Sequence, residues 1–308
     1  MTLFEQVPAI YHRMLGDVLV TALCDGYVAY DNLDIMREPD HAKIKGFLAE
    51  QARVSPPVVS INAFLLRYGE RIILVDCGSG DIMGPTCGRL PALLELLGIP
   101  STAITDVLLT HVHPDHSNGL TDPSSGRKLF PSATVHVHQA EITHWFDDEQ
   151  KAKATERQKR VYFDAGRIQL APYMADAVRT FESECEVLPG ITAVPSTGHT
   201  PGHTCYILRS RGEAMIIWGD TVHVPEVQLA DPDVGMIFDT DSVAGAISRR
   251  RILQRCVDED LLVAGMHIHF PGFARIRTGY NGEFRFVQEQ WFHAEKHGHR
   301  AENWSPSR

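Results

Sequence analysis

The hexapeptide His111-Val112-His113-Pro114-Asp115-His116 (HVHPDH) decides how the rest of this chain is read. Four of its six residues are metal-ligand types, and it follows directly on an apolar run at residues 106–110 (DVLLT) that reads as a buried strand. On extended backbone side chains repeat every two residues, so His111 and His113 point the same way. Pro114 keeps His113 extended. If the chain then turns into a helix, Asp115 and His116 aim at a second point nearby, and two adjacent metal ions fit that arrangement. A strand-end histidine cluster without metal is the plain alternative.

Later residues weigh against that alternative. Thr197-Gly198-His199-Thr200-Pro201-Gly202-His203 sets a histidine in a glycine-flanked loop, where backbone can come close to a site. Trp218-Gly219-Asp220 places a carboxylate at the end of one apolar strand, and Ala264-Gly265-Met266-His267 a histidine at the end of another. Strand ends that each deliver one ligand type can converge on one edge of a sandwich. A carboxylate among imidazoles suits a bridge between two divalent ions, and nitrogen and oxygen donors without thiolate favour zinc. Manganese, cobalt or iron fit the same donors. His136 and His138 alternate on a strand and read as packing or surface residues; His203 reads as structural. His293, His297 and His299 lie in a polar tail.

The organisation around these residues is strand groups with helices. Residues 17–30, 61–68, 71–76, 106–110 and 134–138 read as strands in the first half, and 204–208, 214–218 and 261–265 in the second. Residues 90–97 read as a helix opened by Pro91 and stopped by Gly98 and Pro100, and residues 242–258 as another. Residues 139–186 look helical and rich in aromatics. The pattern predicts an α+β chain of two sheets packed face to face with helices outside, an αββα sandwich. Residues 1–308 form one domain on this reading, with 139–186 as a helical cap or insertion.

Composition narrows the partners. The net charge of −10 argues against a nucleic-acid backbone, and the basic stretch at residues 151–160 reads as a solvated helix face. No apolar run reaches bilayer length, which argues against a membrane partner. The first residues have no basic start followed by an apolar run, so no secretory signal is expected. The six scattered cysteines read as reduced thiols of a cytoplasmic protein.

HxHxDH followed by separate His, Asp and His resembles the metallo-β-lactamase superfamily, over nearly the whole chain from residue 14 to residue 272. Within it the chain looks most similar to the methyl parathion hydrolase branch and its lactonase relatives. Residues 14–17 (MLGD), 74–78 (LVDCG), 84–86 (GPT), 88–90 (GRL), 110–116 (THVHPDH), 218–224 (WGDTVHV) and 267–272 (HIHFPG) carry the likeness. The resemblance implies a first metal on His111, His113 and His199, a second on Asp115, His116 and His267, and Asp220 between them. Asp76 would orient ligands from behind. A hydroxide shared by two zinc ions would attack the substrate. Relatives with oxygen-reducing di-iron centres usually carry a carboxylate where His113 stands, so hydrolysis is expected rather than redox chemistry. The family's habit of pairing implies a homodimer.

The substrate is read from what surrounds the metals. Related acyl-homoserine lactonases have a tyrosine three residues after the bridging Asp, against the lactone carbonyl; here His223 stands there, as in the methyl parathion hydrolase branch. Asp115, Asp220 and His223 are therefore the side chains expected at the reacting atoms. In that branch aromatics line the leaving-group pocket. Trp145 and either Tyr162 or Phe163 match such positions, and Met83 stands where an aromatic is often found. Ordinary packing is the competing account of Trp145. The expectation is a small-molecule lactone or carboxylic-ester substrate, with organophosphate triesters as the alternative main activity. A non-catalytic metal-binding or sensing protein on the same fold is the alternative of another class.

Overall fold

The structure is a computed structural model and describes residues 9–290. The chain opens with β1 (Ile10–Leu15) and β2 (Val18–Ala29), an antiparallel hairpin whose two-residue turn needs the left-handed backbone of Gly16, φ 54°. Helix α1 (His41–Glu50) follows, capped by Asp40, whose side chain accepts from the N–H groups of Ala42 and Lys43. Next come β3 (Val58–Tyr68), β4 (Arg71–Val75), α2 (Leu90–Leu96), β5 (Asp106–Leu108) and the short α3 (Pro114–Ser117). A small ribbon of β6 (Thr121–Asp122) and β7 (Arg127–Lys128) leads to β8 (Thr134–His138). Helices α4 (Gln139–Trp145), α5 (Asp148–Lys153) and α6 (Glu156–Gln158), a π-helical turn at Lys159–Asp164, and α7 (Ala165–Leu170) then connect to β9 (Val178–Phe181). The first sheet has the order β1-β2-β3-β4-β5-β8-β9, antiparallel as far as β4 and parallel beyond it.

The second sheet runs β10 (Cys185–Leu188), β11 (Ile191–Pro195), β12 (Thr204–Ser210), β13 (Glu213–Ile217), β14 (Leu262–Ala264), β15 (Phe273–Thr278) and β16 (Phe284–Gln288), paired in that order. Helix α8 (Pro225–Gln228) and the long α9 (Ser242–Asp258) lie between β13 and β14.

Strand alternation builds the layers. On β3, Phe64 and Leu66 face the second sheet while Leu65 faces the helices; on β4, Ile73 and Val75 face inward and Leu74 outward. The inner faces meet Tyr206, Leu208, Met215, Ile217, Leu262 and Phe273 from the opposite sheet. The outer face of the first sheet is covered by α2, α4 and α7, and that of the second by Ile252, Leu253 and Cys256 of α9. This is the αββα sandwich expected from the alternation of strands and helices. Both faces of each sheet are apolar, which is why the central strands read as continuous hydrophobic runs.

The helical reading of residues 139–186 needs correction. Helix and π turn end at Leu170, and residues 178–181 and 185–188 are strands, one in each sheet. The helices are the crossover between the parallel strands β8 and β9, a connection that parallel pairing requires. Helix α1 and strands β1, β11, β15 and β16 also stand outside the elements expected from apolar runs. Among the described residues no helix is long and apolar enough to cross a membrane. His293, His297 and His299 lie outside the described residues.

Candidate metal centre

Strand β4 ends at Val75, and the next residue, Asp76, takes a left-handed backbone, φ 56°, that is rare for a residue with a side chain. That turn aims its buried carboxylate at the neighbouring chain leaving β5. Asp76 accepts from Thr110 N–H and Thr110 Oγ1, each at 2.8 Å, and pairs with His116 Nδ1 at 2.6 Å. The segment after β5 is thus tied down on both sides of His111. His113 is extended, φ −89° and ψ 159°, and Pro114 opens α3, so Asp115 and His116 come from a helical turn. The other donors come from the second half: His199 from the loop after β11, Asp220 after β13 and His267 after β14.

These side chains meet in two groups. His199 Nε2 lies 3.2 Å from His111 Nε2, 3.0 Å from His113 Nδ1 and 3.2 Å from Asp220 Oδ2. In the second group His116 Nε2 and His267 Nε2 lie 3.5 and 3.6 Å from Asp115 Oδ2, and each lies 3.1 Å from Asp220 Oδ1. Asp220 therefore turns one oxygen to each group.

Such a set fits divalent ions. Three imidazole nitrogens about one common point cannot all carry protons toward each other, and donors about 2.0–2.1 Å from a tetrahedral zinc are themselves about 3.3 Å apart. His116 Nε2 and Asp220 Oδ1 are buried and have no hydrogen-bond partner in the protein, an expensive state that a cation relieves. The far nitrogens are fixed: His111 Nδ1 by Thr110 Oγ1 at 3.1 Å, His199 Nδ1 by Asp239 at 2.8 Å, and His267 Nδ1 by the Ser60 carbonyl at 2.9 Å. With Asp76 on His116, these contacts set ring orientation and tautomer.

Electrostatics follow from burial and crowding. Burial drives the imidazoles of His111 and His113 well below their usual range, helped by neighbouring imidazoles. Burial opposes the charge of Asp220, yet His116, His267, His223 and His111 around it hold its carboxyl well below the ordinary range. Burial also opposes protonation of His199, but Asp220 and Asp239 outweigh it and lift its pKa to about 9. In the absence of cations, protons on such histidines balance the carboxylates.

The remaining candidates fall differently. His223 is buried, with Nε2 2.9 Å from Asp220 Oδ2 and its ring stacked on His267 at 5.0 Å. Burial brings its pKa down to about 4. Asp220, His223 and His267 also make a compact donor set. His203 is structural: its Nδ1 bonds the Ser196 carbonyl, and its Nε2 accepts from the Asp220 N–H at 2.8 Å. His136 and His138 are buried, bonded to Asp106 and to the Glu182 carbonyl, and neither is a surface residue. His269 pairs with Glu226.

Of the pocket candidates, Tyr162 is half-buried with its ring 4.8 Å from that of His113, while Met83 is half-buried on the loop between β4 and α2. Trp145 and Phe163, exposed by only 2% and 4%, are packed into the core of the first sheet. The Trp145 indole N–H is donated to Glu141 at 2.7 Å. Neither ring has surface to offer a substrate. Tyr162 and Phe163 are neighbours on the π turn, so their side chains leave it in different directions, Tyr162 over His113 and Phe163 inward.

Four contributors carry no motif of their own. Asp239 holds His199. Glu141, fully buried, accepts from Val112 N–H, Gly202 N–H and Trp145, so one carboxylate ties the loop of His111 and His113 to the loop of His199. Phe238 lies 5.8 Å from the His199 ring and 5.2 Å from that of His223. Tyr30 is close enough to Asp115 and Asp220 for their charges to act on its phenol. Only the i, i+4 spacing of Glu141 and Trp145 on an otherwise apolar helix face signals any of these in the sequence.

Comparison with known proteins places the fold. The metallo-beta-lactamase superfamily profile matches residues 56–287. The structure is similar to that of hydrolase AbOPH in the beta lactamase superfamily, with a TM-score of 0.87 and 27% identity over 94% of this chain and 100% of the other. It is also similar to AidC, a dizinc quorum-quenching lactonase in complex with a product, with a TM-score of 0.86 and 24% identity over 94% and 100% of the two chains. Among curated proteins, an atrochrysone carboxyl ACP thioesterase of Passalora fulva is 25% identical over 162 residues, which are 52% of this chain and 38% of that protein.

Proposed function

The chain belongs to the metallo-β-lactamase superfamily and is a metal-dependent hydrolase, and from that premise we propose that it cleaves a lactone or carboxylic ester at a dinuclear zinc centre. The observation that carries the reading is Asp220, whose two oxygens face two separate clusters of imidazole and carboxylate donors. His111, His113 and His199 would hold one ion, Asp115, His116 and His267 the other, and Asp220 both. Bound zinc lowers the pKa of water to about 7 and polarises a carbonyl oxygen.

The protein groups do the rest. Asp115, 16% exposed at its side chain, is the most open of the seven donors. It turns Oδ2 to His116 and His267, which leaves Oδ1 to orient an entering water. In the reaction the water oxygen bonds to the acyl carbon and the carbon–oxygen ester bond breaks. The departing oxygen takes a proton, giving acid and alcohol. Tyr162 over His113 and Phe238 over His199 and His223 give this space apolar walls, which suits a neutral substrate. Because one curated relative is named a thioesterase and the fold is shared with a lactonase, the test is a panel of γ- and δ-lactones, p-nitrophenyl esters, acyl thioesters and a paraoxon-type triester. On zinc-reconstituted protein, lactones or esters should give kcat/KM at least tenfold above the triester. Activity should vanish with chelator and return with zinc. Inactivity toward every lactone and ester, with two ions bound per chain, refutes the proposal.

A further inference from the structure

Tyr30 follows the last residue of β2, its backbone N–H bonded to the Pro57 carbonyl at 3.2 Å. Its ring is half-buried in the apolar cluster of Met36, Val59, Val224 and Phe238. That cluster abuts the candidate metal centre: Phe238 lies against His199 and His223, and Val224 is the next residue after His223. Tyr30 thus packs in the cluster that borders the site on the side of the first sheet. The titratable groups acting on it are Asp115, Asp220 and the phenol of Tyr162. Among the described residues, no hydrogen bond is made by its hydroxyl, nor is that oxygen one of the sealed-off polar atoms without a partner. A hydroxyl within range of the Asp115 and Asp220 charges and left unbonded by the protein is available to something that enters the site.

We propose that Tyr30 is a catalytic residue whose hydroxyl donates a hydrogen bond to the carbonyl oxygen of the substrate as that oxygen gains negative charge. The inference rests on the ester or lactone reading and names the group that grips the substrate. As the water oxygen bonds to carbon, the carbonyl π pair moves onto oxygen, and the Tyr30 O–H meets it there. The pair then returns, the ester bond breaks, and the departing alkoxide is protonated by solvent. An ordinary phenol ionises only at about pH 10, so at neutral pH the Tyr30 O–H is a donor. Such preorganised donors typically contribute about 10²–10³ in kcat.

The test is Tyr30→Phe in the full chain loaded with zinc, with Tyr27→Phe on the exposed end of the same strand as control. Tyr30→Phe should keep its zinc content and melting temperature and its KM within about threefold, while kcat falls about 10²-fold. A second readout needs no turnover. Hexylboronic acid, which becomes tetrahedral on adding a hydroxyl, should bind Tyr30→Phe about tenfold more weakly than wild type. A kcat within threefold of wild type, a loss that tracks missing zinc, or equal boronate affinity overturns the assignment. If wild type turns over no ester or lactone, the proposed function falls by itself, and the boronate comparison still decides Tyr30: weaker binding to the variant supports it, and equal or absent binding ends it.

Discussion

Replacing Glu141 by glutamine tests whether the two ligand-bearing loops are held by one buried carboxylate. The side chain keeps its shape but offers one acceptor oxygen in place of two. If that oxygen stays with Val112 N–H and the Trp145 indole, the Gly202 N–H, now bonded at 2.7 Å, faces an amide NH₂. A buried donor left unpaired costs about 1–3 kcal/mol, and two surviving bonds lose their charge assistance, adding about 1–2 kcal/mol. Removing a buried charge also removes its desolvation cost, so the net loss settles near 3 kcal/mol. For a chain of this length that lowers Tm by about 5 °C. Because Val112 lies between His111 and His113, zinc affinity should also fall about tenfold. Thermal unfolding in saturating zinc and in chelator, with zinc competition against a chromophoric chelator, measures both. Glu141→Met, which leaves all three N–H groups unpaired, should melt lower still. The reasoning fails if Glu141→Gln melts within about 1 °C of wild type with the same zinc affinity.

Two further perturbations follow from the same geometry. In metal-free protein, burial resists the charge of Asp239 but His199 brings its pKa to about 2 from 3.8, while His199 itself is raised to about 9. A depressed carboxylate stabilises the fold above its unfolded pKa and loses that contribution as pH falls toward 2; a raised histidine stabilises below its unfolded pKa and loses it as pH rises through 9. The stability gap between wild type and Asp239→Asn should therefore be widest near pH 5–6, about 2 kcal/mol, and narrow on both sides; a gap independent of pH contradicts the pairing. Gly119→Ala would set a methyl carbon 1.9 Å from the Cys77 carbonyl oxygen, directly behind the His116 loop, and should cost about 3 kcal/mol. Gly46→Ala, with open space at that point of α1, should gain about 0.5–1 kcal/mol, and the opposite order in denaturant titrations would refute the packing argument.

What could be read in advance was local. His111, Asp220 and His267 each follow an apolar strand, so the period that identifies the strand also says where its last side chain emerges. The αββα arrangement follows from runs such as residues 71–76 that are apolar on both faces. Asp239 is not legible, and Glu141 shows only through its spacing to Trp145, because a carboxylate that braces a ligand is defined by which loop lands behind which ring. Residues 178–181 and 185–188 are too short and too polar to announce strands; their pairing with β8 and β11 makes them so. Trp145 and Phe163 have the composition of a pocket, but both are packed into the core, Trp145 with its ring 5.6 Å from that of His113, and spacing does not show which aromatic keeps a free face. The alternation of Phe273–Thr278 and Phe284–Gln288 is visible to a period-two reading and is passed over by one that looks for apolar runs.

The donors are divided between the two halves of the chain: His111, His113, Asp115 and His116 lie before residue 120, and His199, Asp220 and His267 follow it. A ribosome making this protein therefore releases four donors of the site long before their complement exists, and the last donor, His267, follows His116 by about 150 residues. On the proposed reading each ion gains its full donor set only when the two halves have folded together, so the site would act as a clasp between them.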